Sequence, residues 1–135
     1  MWYVNNNGNV VSGAEPSIVS GNRAFLYGDG VFESVRIIHG KPINLNAHIQ
    51  RLFKGAEMLK IRVPSYLTVE VFHEKIMELI SRNTVKAGGK CRISIDRIAG
   101  GTYKPTSNEA TYFIEVWPMD ENDFLLNYKG IEVDV

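Results

Sequence analysis

What most constrains the fold is the order of hydrophobic periods along the chain. Strand-type runs come first, two helical stripes follow, and strand-type runs return. The first helical stripe is Ile49, Leu52, Phe53, Ala56 and Leu59, after Asn46 as a plausible N-cap, and Pro64 closes the segment. The second starts near Thr68 and places Val69, Phe72, Ile76, Leu79 and Ile80 on one side, with Glu70, Glu74, Lys75 and Glu78 on the other. Strands in blocks with segregated helices predict an α+β domain: an antiparallel sheet with two helices packed on one face. At 135 residues the chain is expected to form a single domain, residues 1–135, large enough for one core without staples.

The strand-type runs have legible boundaries. Trp2–Val4 and Val10–Val11 flank Asn7-Gly8, the dipeptide that a tight primed turn favours, so they predict a hairpin. Ser12 to Asn22, with Gly13, Pro16 and Gly21, is a loop. Arg23–Tyr27 suits a short helical turn, ended by Gly28-Asp29-Gly30. Val31–Ile38 is a β-branched run, His39-Gly40 its turn, and Lys41–Leu45 the returning strand. Three further β-type runs are Lys90–Ile98, Ala110–Trp117 and Gly130–Val135, with a Gly100–Asn108 loop between the first two.

Charge and cysteine content exclude several classes. Fifteen basic and fifteen acidic residues balance, which argues against nucleic acid or a membrane surface as the main partner. No apolar run reaches the roughly 18–20 residues of a membrane span. One cysteine, Cys91, excludes an internal disulfide framework, and a cytoplasmic protein is the expectation.

Most motif candidates fail on chemistry. Gly28-Asp29-Gly30 has Glu33 where a dinucleotide fingerprint needs its third glycine, and a strand follows it instead of a helix. It implies a turn or a close backbone approach. Ala87-Gly88-Gly89-Lys90 lacks the upstream glycine and the hydroxyl of a phosphate loop. His39, His48 and His73 show no metal-ligand spacing, so no metal is expected. Cys91 alternates with Lys90 and Arg92, faces a core, and has no recognisable base. Arg51 lies off its helix's apolar stripe, and Arg92 lies mid-strand where alternate residues are buried. A buried arginine needs an anion, and its planar fork suits phosphate or carboxylate. Arg97 is a third candidate.

Tyr27-Gly28-Asp29-Gly30-Val31-Phe32-Glu33-Ser34-Val35-Arg36, then Gly40-Lys41-Pro42, then His48-Ile49-Gln50-Arg51-Leu52 resembles the class IV aminotransferases. These are the pyridoxal-phosphate enzymes of fold type IV: branched-chain aminotransferases, D-amino-acid aminotransferases and aminodeoxychorismate lyases. The Arg92–Ile95 strand and the Gly100–Tyr103 loop fit as well. The resemblance covers nearly the whole chain and implies an N-terminal domain, with pyridoxal 5'-phosphate as cofactor and a homodimer as the working form.

Site roles follow from the resemblance alone. Arg51 matches the arginine that binds the cofactor phosphate. Tyr27, Phe32 and Arg36 match residues lining the substrate side, and Arg92 matches an arginine that helps hold the substrate carboxylate. Two departures stand out. Lys90 occupies a usual tyrosine position, and Thr102-Tyr103-Lys104 replaces the Arg-x-His trap of D-amino-acid enzymes. No lysine here stands in the Schiff-base context. The catalytic lysine is therefore expected beyond Val135, and the chain alone is expected to be inactive. The expected function is transamination between an amino acid and a 2-oxo acid, most like the branched-chain enzymes. Lyase chemistry yielding 4-aminobenzoate and pyruvate stays open, as does a non-catalytic dimerisation or binding module.

Overall fold

In the computed structural model, which describes residues 1–14, 20–120, 122–124, 126 and 128–134, six strands form one antiparallel sheet in the order β2-β1-β6-β5-β3-β4. β1 (Tyr3–Asn6) and β2 (Asn9–Ser12) make the predicted hairpin. Asn7 at φ 51° and Gly8 at φ 92° supply the positive angles of its turn. Within the Ser12–Asn22 loop, residues 15–19 lie outside the described chain. α1 (Arg23–Tyr27) opens with the Asn22 side chain accepting from the Phe25 N–H at 2.8 Å and ends at Gly28, φ 63°.

β3 (Gly30–Ile38) runs beside β5 (Gly88–Arg97), which runs beside β6 (Ala110–Met119). The returning strand β4 is only Lys41–Pro42, shorter than the expected Lys41–Leu45. Asn44 at φ 53° turns the chain out of the sheet, so Leu45 becomes the first residue of α2 (Leu45–Met58) and is buried in the core. Asn44, without a side-chain cap bond, is therefore the N-cap, and Asn46 lies inside the helix. The helix ends at Met58, well before Pro64, and Leu59 is 40% exposed, so it leaves the stripe. α3 (Val69–Arg82) begins as expected, with Thr68 Oγ1 accepting from the Val71 N–H at 3.3 Å.

The Gly130–Val135 expectation fails. Gly130–Asp134 forms no strand, and Val135 lies outside the described residues. Ile131 and Val133 are exposed, so their alternation has no face to bury against.

α2 and α3 cover one face of the sheet. Ile49, Leu52 and Ala56 of α2, with Phe72, Ile76 and Leu79 of α3, meet Val35, Ile37, Ile93, Ile95, Ile114 and Val116. Each of these buried side chains other than Ala56 contributes roughly 1.5–3 kcal/mol by transfer from water. Cys91 joins this core at 0% exposure, and burial pushes its thiol far above the usual range. The other face carries Phe32, Ser34 and Arg36 on β3, then Lys90, Arg92, Ser94 and Asp96 on β5. Arg92 therefore points away from the core, against expectation. The buried arginine of β5 is Arg97, because a residue five places along a strand lies on the opposite face.

Candidate functional site

The alternation of β3 assigns Val31, Glu33, Val35 and Ile37 to the helix side, so a carboxylate sits in an otherwise apolar register. Glu33 is 8% exposed. It is met by two residues one turn apart on α2, His48 and Arg51. Arg51 Nε donates to Glu33 Oε1 and Nη2 to Oε2, both at 2.6 Å. His48 Nδ1 lies 2.7 Å from the same Oε2. The Arg51 hydrogen bond pulls the Glu33 carboxyl below its usual value and outweighs burial, while Glu33 raises the guanidinium in turn. The Arg51 side chain nonetheless remains 71% exposed. One edge of the guanidinium is fixed in place, and Nη1 takes no part in the pair.

Phe32, the preceding residue, lies on the opposite face and is 55% exposed. Arg92 Cζ sits 3.8 Å from its ring centroid. Arg36, two residues along the same side of β3 as Ser34, donates from Nη1 to Met119 Sδ at 2.8 Å and lies 5.8 Å from the Phe124 ring. Tyr27, on α1, is under the guanidinium of Arg23 at 4.9 Å. The fold thus joins Phe32 with Arg92 and keeps Arg36 on their face. Arg51 is on the other side of β3, and Tyr27 is on a separate element. Glu33 and Phe32 share the outer edge of β3, which pairs with β4 only at Ile37 and Ile38.

The glycine pair has its own architecture. Asp29 accepts from Arg23 Nε at 2.7 Å and from Arg97 Nε at 3.0 Å. Burial raises its carboxyl, but the hydrogen bonds from Arg97 and Arg23 win and hold it low. Arg23 also donates to the carbonyls of Gly100 and Thr102, at 3.1 and 2.7 Å. Arg97 reaches the Leu59 carbonyl at 2.6 Å. Above the open sheet face lies a cavity of about 660 Å³ lined by Trp2, Phe25, Arg92, Asp96, Phe113 and Glu115.

Glu33, Asp29 and Arg23 were not among the residues the sequence singled out. Glu33 had a signal: an acid in a buried register, with His48 and Arg51 at helical spacing off the apolar stripe. Asp29 and Arg23 pair with each other six residues apart, but had no signal beyond the glycines around Asp29, since their other partners, Arg97 and the carbonyls of Gly100 and Thr102, lie across the fold.

The family model for amino-transferase class IV matches residues 30–127, well over half of the chain. The chain belongs to the class IV aminotransferases. It is 29% identical over 82 residues to the D-alanine aminotransferase of Listeria monocytogenes, covering 61% of this chain and 28% of that protein. Against the Staphylococcus epidermidis D-alanine aminotransferase it is 29% identical over 83 residues, covering 62% and 29%. Its fold matches the branched-chain aminotransferase of Thermoproteus uzoniensis with TM-score 0.78 at 22% identity, over 89% of this chain and 41% of that one. It also matches the T.th. branched-chain amino acid aminotransferase with pyridoxamine 5'-phosphate at TM-score 0.75 and 25% identity, over 89% and 41%. The chain therefore spans under a third of the curated relatives' length, and the α+β fold is that of the N-terminal part of these aminotransferases. Among the described residues no helix is long and apolar enough to cross a membrane.

Proposed function

We propose that this chain supplies the phosphate anchor and part of the substrate wall of a pyridoxal-phosphate-dependent transaminase, one that exchanges an amino group between an amino acid and a 2-oxo acid, most like the branched-chain enzymes. The observation that carries this reading is the Glu33–Arg51 pair. A guanidinium held along one edge by a buried carboxylate, with its other side in solvent, fits a phosphate group. Because Glu33 fixes Arg51 before any ligand arrives, less side-chain freedom is lost on binding. His48 stabilises the same carboxylate and so acts through it.

When bound, pyridoxal phosphate supplies the electron sink for chemistry at the substrate's α-carbon. On the other side of β3, Arg92 offers a guanidinium to a substrate carboxylate, and the Phe32 ring beneath it limits where that guanidinium can move. Tyr27 and Arg36 complete the proposed wall. We place the cofactor's lysine outside this chain, so the chain alone is inactive, and we take the working enzyme to be a cytoplasmic homodimer.

The test is Arg51→Ala in the full-length protein, titrated with pyridoxal phosphate and with pyridoxal, which lacks the phosphate. Loss of a charge-assisted contact of about 1.5–3 kcal/mol weakens pyridoxal phosphate roughly ten- to a hundredfold. Pyridoxal binding stays unchanged. Equal affinity of both proteins for pyridoxal phosphate rejects the phosphate assignment.

A further inference from the structure

Glu33 shares its strand register with Val31, Val35 and Ile37, and the residue directly across from it on β5 is Ile93. None of these side chains offers a donor, so the carboxylate is oriented from α2. That helix lies close to β3: a methyl group on Gly55 would stand 3.2 Å from Val31 Cγ1. Two α2 side chains reach Glu33, and they are not equivalent. Arg51 bonds both oxygens, but it is 71% exposed on a long stem that solvent can draw away. His48 is 22% exposed, with a short stem and a planar ring, and that ring bonds nothing but Glu33 among the described residues.

The contacts also fix a proton. Arg51 holds the Glu33 carboxyl below its usual value, so the ionised Oε2 can only accept. His48 Nδ1, at 2.7 Å, therefore carries the hydrogen and donates it. Arg51 Nη2 stands 3.5 Å from the same nitrogen. Two donors form no bond with each other, so both converge on Oε2. One oxygen is shared by a mobile donor and a confined one. The confined donor sets the plane of the carboxylate, and that plane sets the fork of the guanidinium bonded to it.

We propose that His48 is a positioning residue for the cofactor phosphate: by donating from Nδ1 to Glu33 Oε2, it fixes the carboxylate against which Arg51 is aligned. This rests on the phosphate reading of Arg51 above. His48 does not itself touch the phosphate. One N–H performs the role, not the charge of the ring, so an uncharged donor in the same place serves as well.

The experiment uses the full-length protein, stripped of cofactor and titrated with pyridoxal phosphate and with pyridoxal. His48→Leu weakens pyridoxal phosphate about fivefold and leaves pyridoxal within about twofold. His48→Asn has the shape of the leucine variant but carries an amide N–H where Nδ1 stands, and it stays within about twofold of wild type for both ligands. His48→Ala repeats the leucine result with a smaller side chain, so the test does not hang on one variant folding. In Glu33→Met, which fills the apolar register, pyridoxal phosphate is already weakened, and adding His48→Leu changes it by less than about twofold. Equal weakening of both ligands, weakening of neither, an asparagine variant as weak as the leucine one, or an undiminished loss in the Glu33→Met background each overturns the role of His48 while the phosphate reading stands. Unchanged affinity of Arg51→Ala for pyridoxal phosphate overturns both.

Discussion

Asp96 lies on the open face directly opposite Gly30 on one side and Thr111 on the other. Burial pushes its carboxyl up to about 6, Arg92 lowers it in part, and Asp29 raises it. The unfolded chain has the usual value of 3.8. Between these values the folded state holds the extra proton, so this group makes stability fall as pH rises from 3.8 towards 6, with no further change above. The charged form is therefore a burden at neutral pH. Asp96→Asn keeps the shape and removes the charge. A shift of about two units corresponds to roughly 3 kcal/mol, reduced to about 1 kcal/mol by solvent screening of a partly exposed group. The variant is expected to gain that much at about pH 8 and nothing at about pH 3.5, read from urea unfolding. An equal gain at both pH values contradicts the titration as its source. Nothing in the sequence pointed to Asp96, because a carboxylate on alternating strand residues reads as a solvated face until α1 and Phe113 are placed around it.

The elbow between α1 and β3 shows two glycines required for different reasons. Gly28 closes α1 in the left-handed region, its N–H returning to the Ala24 carbonyl at 2.9 Å. A methyl group there meets no atom within 4 Å, so only the backbone conformation resists it. Gly30 has no such angle. A methyl group there would run into the Asp96 carboxylate and stand 3.1 Å from the Ile95 carbonyl. Gly28→Ala is expected to cost about 1 kcal/mol and Gly30→Ala about 2–3 kcal/mol, the overpacking range. Urea midpoints for the two variants give the ranking, and a larger loss at Gly28 refutes it. Both meanings were open in the sequence, a turn or a close approach. Each turns out to belong to one glycine. The boundary of β4 was not legible for a related reason: Asn44 takes a left-handed angle that asparagine tolerates, and no local pattern announces it.

Across the molecule, Asp29 ties together segments distant in sequence. Through Arg23 it holds α1 and the 100–102 backbone, and through Arg97 it holds β5 and the chain leaving α2. Arg23 and Arg97 are 3% and 6% exposed, so removing the shared anion leaves two buried charges short of a partner. Asp29→Asn is expected to lower global stability by about 3 kcal/mol and to speed amide exchange in β5. A change under about 0.5 kcal/mol shows the cluster to be dispensable. The α+β class, the hairpin at Asn7-Gly8, both long helices and the off-stripe position of Arg51 were set by local periodicity and turn chemistry, which act over a few residues. The sequence motifs likewise carried the family. Which strand face each cation occupies, that Glu33 rather than solvent orients Arg51, that Arg97 and not Arg92 is buried, and that Lys90 stands opposite Arg36 were decided by strand register and helix docking. Those are long-range choices, made by which pairings bury the most apolar surface while leaving no buried charge alone, and no short window of sequence contains both partners.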